Sequence, residues 1–131
     1  MATVPLLSDE EASAEALAVF DDIRATRGTN YVNNFWRALA HDPALLRATW
    51  ERLKVVMGPG ALDPLVKEMI YVAVSTANGC EYCVHSHTAA ARAKGMTPAQ
   101  HSEMLAVIGM AMQTNGIVTG LQVPVDDLFK A

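Results

Sequence analysis

The chain has little to cross-link, little to stack and little with which to grip nucleic acid. Two cysteines in 131 residues cannot build a disulfide framework. Aromatic residues make up 6% of the sequence and charged ones 18%, against 51% apolar, so the apolar excess lies in alanine and methionine. Small and flexible side chains of that kind suit close helix packing and subunit interfaces, so an oligomer is expected. Ten Lys and Arg against fourteen Asp and Glu leave a net charge of −4, which excludes nucleic acid as a partner. The longest apolar run near the C-terminus, MLAVIGMAM, falls short of the ~20 residues of a membrane span. The N-terminal stretch MATVPLLSDEEASAEA has neither the basic region nor the apolar core of a signal peptide. A cytoplasmic protein is expected, with no membrane contact and no bound cofactor.

Also missing is any sustained apolar–polar alternation, so no strand is expected. Helix punctuation is frequent instead. Ser8 and Glu11 form a capping box ahead of a helix with Ala12, Ala16, Val19, Phe20 and Ile23 on one side and Gly28 at its end. NNFWRALAH predicts a short second helix. Asp42–Pro43 opens a third, which runs to Met57, where GPG breaks it. Asp63–Pro64 opens a fourth that stops at Asn78–Gly79, and a fifth spans Cys80 to Lys94. Thr97–Pro98, with Gln100 behind it, starts the last; Asn115 and Gly116 weaken it before it resumes to Leu121. The expectation is an all-α single domain over residues 1–131, with six or seven helices and a central antiparallel hairpin within residues 64–95.

Both cysteines and two of the four histidines fall in one stretch, NGCEYCVHSHTAAARAKG. On a helix turning ~100° per residue, Cys80, Cys83 and His87 lie within about 60° of one another. His85 points about 160° away from Cys83, and Tyr82 is also off the shared face. Cys80 sits at the helix start, where free N–H groups and the dipole favour a thiolate. The preceding helix, LVKEMIYVAVSTANG, carries no charge after Glu68. A buried carboxylate there needs a proton or a partner. Measured outward from the turn at ~1.5 Å per residue, Glu68 lies about 16 Å down one helix and His87 about 10 Å down the other. Two side chains can span that difference, which supports a Glu68–His87–Cys83 relay with Cys80 beside it.

Glu68, eleven intervening residues, CEYC, three residues and His87 together resemble the AhpD-like alkylhydroperoxidases of the carboxymuconolactone decarboxylase superfamily. The resemblance extends more loosely from NNFWRALAHDPALL to KGM. It implies that Cys83 attacks a hydroperoxide, that Cys80 closes the disulfide, and that Glu68 and His87 move protons. It also implies a trimer or hexamer and an external dithiol reductant, such as a lipoylated or thioredoxin-like protein. Tyr82 stands where the best-known AhpD carries a histidine. Decarboxylase members of the superfamily lack the cysteine pair, which argues against that activity here.

The residues suit the chemistry. A thiolate opens the peroxide O–O bond to give a sulfenic acid and an alcohol, and a second thiol condenses with it to a disulfide. A histidine held by a carboxylate supplies the proton that the leaving alkoxide needs. Three rivals stand beside this reading. One is a non-enzymatic redox sensor, and another is a disulfide reductase with little peroxidase activity. The third is a zinc site drawing on Cys80, Cys83, His87 and Glu68, although structural CxxC zinc sites use knuckle turns and a second ligand pair. Haem attachment fails because Val84 follows the second cysteine, and no βαβ pattern surrounds the motif as in thioredoxins. His41, His85 and His101 read as helix-end or solvated residues, and Trp36 and Trp50 as packing residues.

Overall fold

The computed structural model describes residues 1–130. It contains six α-helices, a closing 3₁₀ turn at Asp127–Phe129 and, among the described residues, no strand. The chain forms two compact units, Met1–Gly58 and the residues from Pro59 onward.

The first unit holds α1 (Ala14–Arg27), α2 (Asn34–Leu39) and α3 (Pro43–Met57). The Ser8–Glu11 capping box forms, with Ser8 N–H donating to Glu11 Oε2 at 2.9 Å and Glu11 N–H to Ser8 Oγ at 3.3 Å. It closes only a single turn, however. A second cap at Ser13, whose hydroxyl accepts from Ala16 N–H, starts α1 five residues later than the box suggests. The predicted apolar face is the buried one: Ala16, Val19, Phe20 and Ile23 pack with Val32, Trp36, Leu46 and Trp50. The two indoles meet edge to face, with centroids 5.4 Å apart, an arrangement that adds to the energy of burying their area. Charges brace this core from its edge. Asp9 binds Arg24 and Arg37, and Asp22 Oδ2 accepts from both Trp50 Nε1 and Lys54 Nζ at 2.6 Å.

The second unit holds α4 (Pro64–Ala77), α5 (Glu81–Ala93) and α6 (Pro98–Leu121). Asp63 and Thr97 cap α4 and α6, each with proline in the first turn, as their sequences predict. Helices α4 and α5 pack as an antiparallel hairpin. Gly79, at φ +68°, makes the tight reversal that lets Cys80 N–H reach back to the Ser75 carbonyl. The core beneath the hairpin is small: Val72, Ala91, Met96, Met104 and Ile108.

Helix α6 runs through Asn115 and Gly116 without a break. A glycine costs a helix only about 1 kcal/mol relative to alanine, which twenty-odd hydrogen-bonded neighbours absorb. Only Met104 and Ile108 of α6 are buried, while Leu105, Val107, Met110, Met112, Ile117, Val118 and Leu121 are exposed. By length and composition alone α6 is apolar enough to cross a membrane. The uninterrupted helix, which the shorter run MLAVIGMAM does not convey, is what brings it to that length.

Candidate active site

The hairpin brings together the glutamate and the histidine that the sequence paired. His87 Nδ1 lies 2.7 Å from Glu68 Oε2, and the Glu68 side chain is only 6% exposed. The contact follows from the register of the two helices. Glu68 sits one turn into α4 on its buried face with Val72 and Ser75, and α5 lays its second turn beside it. With a carboxylate on that side, Nδ1 is the nitrogen that carries the proton and Nε2 keeps its lone pair when the ring is neutral.

Cys80 and Cys83 are joined as a disulfide, with Cα atoms 5.3 Å apart. Cys80 is the N-cap of α5, and its sulfur accepts a hydrogen bond from Cys83 N–H at 3.3 Å. The sulfur thus stands where serine or aspartate oxygens cap other helices, facing amides that favour negative charge. Both cysteines are partly exposed. Cys83 and His87 stand one turn apart on the same helix. His85 and Tyr82 are exposed and belong to other faces, as the helical spacing requires.

Two side chains outside the motif complete the cluster. Lys94 Nζ donates to the other carboxylate oxygen, Glu68 Oε1, at 2.8 Å. Tyr71 stacks on the His87 ring, with centroids 3.5 Å apart and planes tilted by 16°. Sequence reasoning named neither of them, although their spacing is compatible with the site. Tyr71 is three residues after Glu68 on α4, and Lys94 is seven after His87, two turns on and so on the same face.

Burial acts most strongly on Glu68 and pushes its proton affinity up. The hydrogen bonds from His87 and Lys94 and the charges of both partners together outweigh it, so the carboxyl is held below the ordinary glutamate range. Glu68 is therefore an anion at neutral pH although it is buried. Among the described residues no three His, Cys, Asp or Glu side chains converge as a metal-binding group.

Residues 43–126 match the model of the carboxymuconolactone decarboxylase family. A crystal structure described as the alkylhydroperoxidase AhpD core from Rhodospirillum rubrum is similar throughout. It is 70% identical, covers 98% of this chain and 97% of its own, and superposes with a TM-score of 0.95. Two uncharacterized proteins are similar over shorter stretches. One, from the cox locus of Paracoccus denitrificans, is 41% identical over 52 residues, 40% of this chain. The match spans about half of that relative, 47% of its length. The other, from Cupriavidus necator, is 34% identical over 82 residues, 63% of this chain and 73% of the relative. With the helical fold and the family match in agreement, the chain belongs to the carboxymuconolactone decarboxylase family as an AhpD-like member.

Proposed function

We propose that the protein is a thiol-dependent hydroperoxide reductase acting on organic hydroperoxides. Cys83 is the attacking thiol, Cys80 the resolving thiol, and Glu68 with His87 the proton relay. One observation carries the reading. A buried carboxylate holds an imidazole on the same helix face as a cysteine pair that closes on itself. The Rhodospirillum rubrum neighbour, an alkylhydroperoxidase core by its description, supports it.

In the reduced state His87 takes the thiol proton of Cys83. The thiolate then attacks one peroxide oxygen and breaks the O–O bond. The departing alkoxide receives the proton back from His87 and leaves as an alcohol, while Cys83 becomes a sulfenic acid. The Cys80 thiol attacks that sulfur, releasing water and forming the disulfide. An external dithiol, becoming a disulfide itself, restores both thiols. In that last step the amide at the start of α5 stabilises Cys80 as the leaving thiolate, so the reductant attacks Cys83. Glu68 keeps the imidazole oriented and offsets its charge during each transfer.

The variants Cys83→Ser and Cys80→Ser test the assignment. Cys83→Ser is expected to abolish turnover. Cys80→Ser is expected to leave a sulfenic acid on Cys83 that dimedone traps after one equivalent of cumene hydroperoxide. A trapped adduct on Cys80 in Cys83→Ser, with none on Cys83 in Cys80→Ser, reverses the roles.

The same reading includes a homo-oligomer, trimer or hexamer, that covers the exposed apolar residues of α6. Between Glu103 and Asp126 this segment has no charged side chain, and a patch that size is rarely left to water. Light scattering at micromolar concentration is expected to give a multiple of the 14.1 kDa chain mass. A monomer contradicts the claim.

A further inference from the structure

We propose that Lys94 is a positioning residue of the relay: by binding Glu68 Oε1 with a fixed positive charge, it leaves Oε2 to His87 Nδ1 and makes the imidazole's own proton unnecessary for balancing the buried carboxylate. The proposal rests on the relay reading above and concerns how that relay is kept ready for use.

The physical problem is the burial of Glu68. A carboxylate that is 6% exposed must be neutralised by a proton of its own or by a cation beside it. Were His87 its only partner, the pair would settle as imidazolium–carboxylate or as carboxylic acid with the ring turned acceptor at Nδ1. In the first state no lone pair remains to take the Cys83 proton. In the second the lone pair faces Glu68 instead of the thiol side. Lys94 removes the dilemma. Its ammonium stands 2.8 Å from Oε1 and supplies the charge permanently, so the ring can remain neutral with its proton on Nδ1. The lysine is itself well placed. It is the C-cap of α5, where the helix dipole favours a cation, and its side chain keeps 39% of its exposure, so it is not buried with its charge as Glu68 is.

Tyr71 completes the arrangement by fixing the plane of the ring. A stack tilted by only 16° leaves the imidazole little freedom to flip and exchange its two nitrogens. Around the ring, Glu68 and Tyr71 come from α4, and Cys83 and Lys94 from α5 and its cap. Helix α6, which packs on α4, carries only His101 and Glu103, one partly and one fully exposed and neither hydrogen-bonded through its side chain to the cluster.

The test reads the protons on the His87 ring directly, by ¹⁵N nuclear magnetic resonance of histidine-labelled protein. It is made on the full chain in its disulfide form, where neither cysteine titrates, at about pH 8, where an ordinary histidine is neutral. Wild type is expected to give a single neutral tautomer protonated on Nδ1. Lys94→Met, which keeps the stem and removes the charge, is expected to give either a doubly protonated ring or the Nε2–H tautomer. Lys94→Gln, which keeps a donor for Oε1 but no charge, is expected to do the same, and Lys94→Arg to restore the wild-type signature. A folded Lys94→Met or Lys94→Gln protein that retains a pure Nδ1–H ring overturns the proposal. So does a wild-type ring that is doubly protonated at this pH. No peroxide enters the experiment, so a failed peroxidase assay and a failed role for Lys94 are told apart.

Discussion

Each unit of the molecule holds one carboxylate between a lysine and a ring N–H. In the first, Asp22 takes Trp50 Nε1 and Lys54 Nζ on the same oxygen, at the edge of an aromatic core, with 44% of its side chain exposed. In the second, Glu68 takes His87 and Lys94 on separate oxygens and is 6% exposed. The parts are alike and the outcomes differ for two reasons. An indole N–H does not titrate, so the Asp22 cluster can only hold Trp50 in place. An imidazole does titrate, and His87 stands one turn from Cys83 on α5, which is the ground for the proposal that the Glu68 cluster moves a proton. Burial of the carboxylate decides how much its charge matters, because water reaches Asp22 and is largely kept from Glu68.

Removing the charge from each carboxylate in turn should separate the two sites. Glu68→Gln keeps the shape and one hydrogen bond but cannot stabilise an imidazolium. Hydroperoxide reduction is expected to slow by about 10²–10⁴-fold, the usual worth of a positioned acid or base, with the helical circular-dichroism signal retained. Because Tyr82 offers no second histidine, the loss should approach the upper part of that range. Wild-type rates in a folded Glu68→Gln variant would make Glu68 purely structural. Asp22→Asn is the companion measurement, with unchanged turnover and a modest fall in melting temperature expected.

Acid sharpens the same contrast. Both carboxyls are held below their ordinary range. For Glu68, burial opposes the shift and the His87 and Lys94 contacts outweigh it; for Asp22, the Lys54 hydrogen bond leads and Trp50 follows. A depressed folded-state value means that the stabilisation is full above the unfolded carboxyl range and is lost as pH falls through the folded value. Denaturation midpoints are therefore expected to drop below about pH 4.5. The slope should flatten more in Glu68→Gln than in Asp22→Asn, since the exposed pair is screened. Equal slopes in both variants would show that burial does not separate the two sites.

Much of this was legible in sequence, for local reasons. Asp42–Pro43, Asp63–Pro64 and Thr97–Pro98 each place a cap and a proline where the helix must start, and all three start there. Ser8–Glu11 misleads because a capping box satisfies its own two donors whether or not a helix follows, and Ser13 offers a competing cap. The Glu68–His87 contact was readable because a tight turn fixes the register of a hairpin. Lys94 was not, since a lysine beside a helix-ending glycine is ordinary and its partner lies 26 residues away. Tyr71 was hidden for a similar reason, because stacking depends on rotamers that spacing does not set.

The most direct test of the account is a single turnover without added reductant. Fully reduced protein is mixed with one equivalent of cumene hydroperoxide, and the products are followed by mass spectrometry and chromatography. The account predicts one cumyl alcohol per chain and the loss of two hydrogens at Cys80 and Cys83, both slowed in Glu68→Gln. A folded, reduced wild-type chain that leaves the hydroperoxide intact and keeps both thiols would contradict it.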